Sequence, residues 1–228
     1  MAMATLIKVR TVGMALALLP LFSICGCSQT YYAVWEKLGW EKRDILVDRV
    51  KDARNDQEKA KEQFQTTLQR FRAVAGTEGN PDEDALQSRY DKLKSDYDSC
   101  EARATKLKDR VNSVDEVAHD LFKEWEGELN QYHDQSLRDS SEKMLHDTQD
   151  RYDQLIGAMR RAVAKMDPVL GAFHDQVLFL KHNLNARAIA SLETTKSSVE
   201  TDVAELIKEM DASIAEADSF INEMASKK

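Results

Sequence analysis

The chain predicts an all-α fold, an elongated antiparallel bundle or coiled coil of three or four long helices, and three observations predict it. Leu86, Tyr90, Leu93, Tyr97, Cys100, Ala104, Leu107, Val111, Val114, Ala118, Leu121 and Trp125 alternate spacings of four and three without a break. That register runs for more than about five heptads, which a single surface helix of a globular domain seldom sustains. The composition is that of long helices, rich in Ala, Glu, Lys, Asp, Leu and Gln, with 8 Gly and 3 Pro in 228 residues. No stretch combines a period of two with β-branched density and turn punctuation, so a sheet is not expected.

Before the first helix the sequence reads as a processing signal. Lys8 and Arg10 form a basic flank, residues 12–24 an apolar run, and Ile24-Cys25-Gly26-Cys27 follows. A spanning helix needs about 20 apolar residues, and this run is shorter. A small residue directly before a cysteine resembles the lipobox cut by lipoprotein signal peptidase. Cys27, behind Gly26, fits that site better than Cys25, behind bulky Ile24. Residues 1–26 are therefore expected to be a lipoprotein signal peptide, and Cys27 an acylated first residue. Ser28 and Gln29 follow, with no Asp, which in Gram-negative lipoproteins resembles cargo sent to the outer membrane. The expected location is the cell envelope, lipid-anchored at the outer membrane and facing the periplasm.

Residues 27–43 then form an anchor and aromatic segment containing Tyr31, Tyr32, Trp35 and Trp40. Such rings favour the headgroup region, where an apolar face and a polar edge are both satisfied. Two readings stand side by side: an interfacial collar, or rings that cap one end of the bundle.

Residues 44–228 make up the helical domain. In the first helix Leu46, Val50, Ala53, Ala60, Phe64, Phe71 and Val74 fall on 3-4 spacing, interrupted by Gln57 and Thr67. Gly76 and Gly79 are expected to stop it through a left-handed cap. Asn80-Pro81-Asp82-Glu83 reads as a fresh start, with Asn capping and Pro at the first helical position. The long seam from Leu86 follows. Residues 127–143, with Gly127, Asn130, Gln131, His133, Asp134 and Gln135, read as a turn or a locally unwound stretch. Periodicity resumes at Leu137, Met144, Tyr152, Leu155, Met159 and Ala162, with a one-residue stutter near Thr148. Asp167-Pro168 predicts a boundary, since the residue before proline avoids helical geometry. Residues 169–224 are then expected as one helix of about 84 Å.

Chemistry is sparsely represented. Removing residues 1–26 takes away Lys8, Arg10 and no acid, so the formal charge goes from −8 to −10. An acidic chain argues against nucleic acid, which requires clustered Lys and Arg, and leaves membrane attachment to acyl chains. With Cys25 removed and Cys27 modified, Cys100 is the one remaining thiol, read as a small core residue. His119, His133, His146, His174 and His182 form no His-x-x-x-His pair, so neither a metal nor a cofactor is expected. No phosphate loop, nucleophile elbow or paired-cysteine motif occurs, so no catalytic residue is assigned and enzyme activity is not expected.

One segment stands out: His174, Asp175, Gln176, Lys181, His182, Asn183, Asn185 and Arg187 surround an apolar run. It reads either as a recognition patch or as register-setting polar residues on a helix face. Lys228 closes the chain. A final lysine on a helical lipoprotein resembles the Braun type of lipoprotein, where that lysine is bonded to peptidoglycan. Lysine also suits a helix C-terminus through the dipole.

Residues 31–50 and 173–190, taken together, resemble a family of Gram-negative lipoproteins classed as a domain of unknown function. The resemblance implies a helical periplasmic lipoprotein and supplies no catalytic residues. The expectation is a structural or adaptor rod. Its partners are the membrane, through the acylated N-terminus, and an unidentified envelope protein or a second copy. The alternatives are a ligand-binding or sensory module built on the polar patch, and a peptidoglycan tether through Lys228.

Overall fold

The structure, a computed structural model, describes residues 42–76, 83–183 and 185–226. Four helices account for nearly all of them: α1 (Lys42–Ala75), α2 (Glu83–Leu129), α3 (Gln135–His182) and α4 (Ala186–Ser226). They are 34, 47, 48 and 41 residues long, so α3 extends about 72 Å. No strand occurs among the described residues. Each helix packs beside its chain neighbours, and α4 returns to lie along α1, which closes the four into a ring. Short connections force neighbours antiparallel.

Charged pairs record that antiparallel register. Arg54–Asp218, Lys61–Asp211 and Arg72–Glu200 join α1 to α4. Residue numbers rise along one helix as they fall along the other. Arg160–Asp115 and Lys108–Asp167 bind α3 to α2, and Lys165–Glu205 binds α3 to α4. Such exposed pairs each contribute only about 0.2–1 kcal/mol. The apolar seam supplies the main drive, with Phe64, Phe71, Phe173, Phe220 and Leu107 all fully buried. A buried Leu or Phe is worth about 1.5–3 kcal/mol relative to exposure. Phe64 and Phe173 stack across the centre, from α1 to α3, with ring centroids 6.5 Å apart.

The seam of α2 follows the expected register, with Tyr97 and Trp125 half-buried at its flanks and the other ten positions buried. Elsewhere the boundaries move. The turn within 127–143 narrows to residues 130–134, between α2 and α3. Asp134 caps α3, its Oδ1 accepting from the Leu137 amide at 3.0 Å. The seam of α3 then runs through Ser141, Leu145, Thr148 and Tyr152, all buried, while Leu137 and Met144 are exposed. Reading polar Ser141 and Thr148 as seam positions gives spacings of four, three and four, so no stutter is needed.

Asp167-Pro168 does not end a helix, because α3 continues through it to His182. Proline removes one backbone hydrogen bond and crowds the carbonyl four residues earlier. Pro168 and Ala164 both lie on the exposed face. Meanwhile Ala162, Met166, Val169 and Phe173 are buried on either side of it. Packing of that stripe outweighs the local penalty. The single helix expected over 169–224 is instead divided, one helix ending at His182 and the next beginning at Ala186.

Gly76 ends α1 as expected but by another device. Its amide donates to the Arg72 carbonyl at 2.8 Å, without a left-handed backbone, and a Cβ there would sit 3.1 Å from that same oxygen. Close approach, not handedness, favours glycine. Gly79 and Asn80-Pro81-Asp82 lie outside the described residues.

Candidate functional site

The sequence places its candidates at three locations. Cys27, Tyr31, Tyr32, Trp35, Trp40 and Lys228 all lie outside the described residues. The remaining group, from His174 to Arg187, falls on the last turns of α3, the connection, and the first turn of α4.

Much of that polar group is occupied by chain reversal. Asn183 closes α3, its amide donating to the Leu180 carbonyl at 3.2 Å and its Nδ2 to the Phe179 carbonyl at 3.0 Å. Asn185 opens α4, its Oδ1 accepting from the Ala188 amide at 3.0 Å. Short polar side chains compete well for backbone groups left free at helix ends, which explains why two asparagines sit here. Gln176 turns toward α4 and accepts from the Thr195 hydroxyl at 3.4 Å. His174 has its ring 5.9 Å from that of Tyr97 on α2, and its Nδ1 is 3.5 Å from an Asp175 oxygen. Asp175, Lys181, His182 and Arg187 are exposed, beside the exposed apolar pair Leu178 and Phe179. An open, shallow depression lies elsewhere, on one face of α2 lined by Asp84, Gln87, Asp91 and Lys92.

The more demanding chemistry is in the interior, on α1. The Asp56 carboxylate is only 8% exposed and accepts from Lys106 at 2.9 Å and Arg110 at 3.0 Å, both on α2. Burial pushes this carboxyl up. The hydrogen bonds and charges of Lys106 and Arg110 outweigh that push and hold it below 3.8. One residue on, Gln57 is fully buried and takes a hydrogen bond from Ser213 of α4 through its Oε1 at 3.2 Å. Its Nε2 has no hydrogen-bond partner. Ten residues further, the Thr67 hydroxyl meets Cys100 Sγ at 3.1 Å. Burial pushes the Cys100 thiol up to about 12, against the opposing effect of its hydrogen bond with Thr67.

On the α2–α3 side, Tyr152 donates its hydroxyl to Asp115 while its ring meets Phe122 edge-on at 5.4 Å. Burial, and then the Asp115 carboxylate, raise the Tyr152 hydroxyl above its ordinary value. Asp56, Gln57, Thr67 and Tyr152 thus each bind one helix to another.

Gln57 and Thr67 are visible in the sequence as interruptions of an apolar stripe, whereas Asp56, Ser141 and Ser213 are not singled out there. Ser213 is recoverable from spacing, three after Met210 and four before Ala217. Asp56 is not, because its partners are brought from 50 and 54 residues away.

Among the described residues no group of three or more His, Cys, Asp or Glu is placed to hold a metal ion. No described helix is long and apolar enough to cross a membrane. Neither a curated protein nor a solved structure matches the chain. One family model does match, over residues 31–224, and so covers the four helices and the aromatic segment before them. The chain belongs to that family, described as a protein of unknown function (DUF2959).

Proposed function

We propose that this protein is a non-enzymatic lipoprotein of the outer membrane, held by acylated Cys27, whose helical rod acts as a structural or adaptor element in the periplasm. The observation that carries the reading is the order basic flank, short apolar run, Gly26, Cys27 at the front of the chain. Acyl chains each add about 0.8 kcal/mol per buried methylene, and two or more hold a protein durably. The body behind the anchor suits a rod. Its interior polar groups are engaged in joining helices, as with Asp56, Tyr152 and the Gln57–Ser213 pair. Its exposed large apolar residues collect toward two ends, with Tyr132, Leu137 and Met144 at one and Leu178 and Phe179 at the other.

Two measurements test this. Cells fed a clickable fatty acid should label the protein, and Cys27→Ser should abolish the label and release the protein from the membrane fraction. In-cell crosslinking should then capture a reproducible envelope partner or a second copy, lost in the Cys27→Ser strain. Label persisting in Cys27→Ser would overturn the anchor. Identical capture in both strains would overturn a role that depends on anchorage.

A further inference from the structure

The α2–α3 hairpin reaches past the ends of the other two helices. Lys42, the first residue of α1, pairs with Glu124 at 2.7 Å, although α2 continues to Leu129. Near the end of α4, Glu223 pairs with Arg151, although α3 begins sixteen residues earlier at Gln135. The first turns of α3 and the connection at 130–134 therefore form an overhanging tip.

On that tip the core face of α3 continues, and no other described helix lies over it. Leu137 lies four residues before the seam position Ser141, yet is 59% exposed, and Met144 and Tyr132 are 40% and 43% exposed. Ser141 gathers the group, accepting from Trp125 Nε1 at 2.8 Å and from the Tyr132 hydroxyl at 3.4 Å. The polar edges of both rings are thus satisfied within the protein. Around them stand exposed Glu126, Glu128, Asp134, Asp139 and Glu142, which outnumber the nearby Lys123, Arg138 and Lys143.

We propose that this hairpin tip, centred on Leu137, Met144 and Tyr132, rests in the interfacial zone of a lipid bilayer whose headgroups carry no net charge. The inference rests on the anchored reading above. Cys27 stands fifteen residues before Lys42, a span of at most about 50–54 Å when extended. Lys42 is level with the base of the tip, so the acylated chain enters the bundle at the end that carries these apolar residues. Tyr, Trp and aliphatic groups gain by entering the interface. The acidic rim makes an anionic surface the wrong one, because like charge repels it. The tip gives the rod a second point of attachment, which fixes its tilt; acyl chains alone would leave it free to swing.

The test uses the full acylated protein in phosphatidylcholine vesicles, with Leu137→Cys carrying an environment-sensitive fluorophore. Met144→Cys serves as a second site in case the first variant folds poorly, and Leu178→Cys marks the opposite end. The buried Cys100 thiol stays out of the labelling reaction. Nitroxide-bearing lipid should quench the 137 and 144 labels by about half or more, as expected for groups within about 5–10 Å of the headgroup–acyl boundary, and leave 178 unchanged. Adding anionic lipid should reduce that quenching.

Quenching equal at 178 would mean a rod lying flat and would overturn the proposal. So would a blue-shifted 137 label that lipid nitroxide does not touch, which would assign the tip to a contact with a second copy of the chain. Labels unquenched on protein that still floats with the vesicles would overturn the tip contact while leaving the anchor intact. Protein that fails to float would overturn the anchor, and the tip contact with it.

Discussion

Two polar side chains on α1, Asp56 and Gln57, decide how tightly that helix is held, and they behave differently. Asp56 is a buried carboxylate whose two donors, Lys106 and Arg110, keep contact with solvent. Asp56→Asn should lower stability by about 1–2 kcal/mol at neutral pH, because it removes a charge-assisted acceptor from a buried position. The sign of its pH dependence follows from a carboxyl held below its ordinary 3.8. Its stabilising contribution is present above the unfolded value and is lost as pH falls through the folded one. Urea titrations of the two proteins should therefore differ at pH 7 and converge as the pH drops below 3.8; a gap that stays constant would deny Asp56 this role. Gln57 is the opposite case, since its Oε1 has Ser213 while its Nε2 is buried without a partner. Ser213→Ala alone leaves the whole amide unanswered and should cost about 1–3 kcal/mol. Replacing both, Gln57→Leu with Ser213→Ala, removes the desolvation cost and should be neutral or stabilising. Thermal unfolding of the single and double variants checks this, and a double variant weaker than the single would refute it.

At the scale of elements, the seam of α2 is legible in the sequence because burial on one face demands apolar residues at every third and fourth position. Ser141 and Thr148 hide the corresponding seam of α3, where hydrogen bonding replaces apolar content: Ser141 accepts from Trp125, and Thr148 donates to the Met144 carbonyl at 2.7 Å. Pattern reading prefers Leu137 and Met144 there, and those two are exposed at the overhang. Pro168 misleads for a different reason. Its local penalty is genuine, but the buried stripe around it belongs to one continuous helix, and tertiary packing overrides the local preference. The chain reversal falls instead where Asn183 and Asn185 satisfy free backbone groups, a signal that reads equally well as a binding patch. If Pro168 is a tolerated cost, Pro168→Ala should stabilise the protein by up to about 3 kcal/mol, since it restores one helical hydrogen bond and relieves the crowded carbonyl. Denaturant midpoints would show the gain, and hydrogen exchange should slow near residue 168. A neutral or destabilising result would mean that the proline is itself required for packing against α2 and α4.

The whole molecule depends on α4 closing back against α1, a pairing between segments about 150 residues apart in sequence. Periodicity tells which faces are buried but not which helix meets which, so the ring order was not legible; short connections predicted only that chain neighbours run antiparallel. Charge makes the order testable. Lys61 Nζ lies 3.0 Å from Asp211 and 2.7 Å from Glu58, while Lys165 Nζ lies 2.8 Å from Glu205. A zero-length carbodiimide joins only amines and carboxylates already in contact. In the native protein it should yield the long-range link Lys61–Asp211, across the closing α1–α4 pair, together with Lys165–Glu205 across α3–α4. Both should vanish in denaturant, and Asp211→Asn should remove the first while sparing the second. In a ring that placed α1 beside α3 instead of α4, Lys61–Asp211 would be missing and α1 lysines would couple to α3 carboxylates. These pairs are exposed and each is weak, so Asp211→Asn should leave stability within about 0.5 kcal/mol of wild type. The loss of one link without loss of the fold would then show that charge reports the ring order while the apolar seam enforces it.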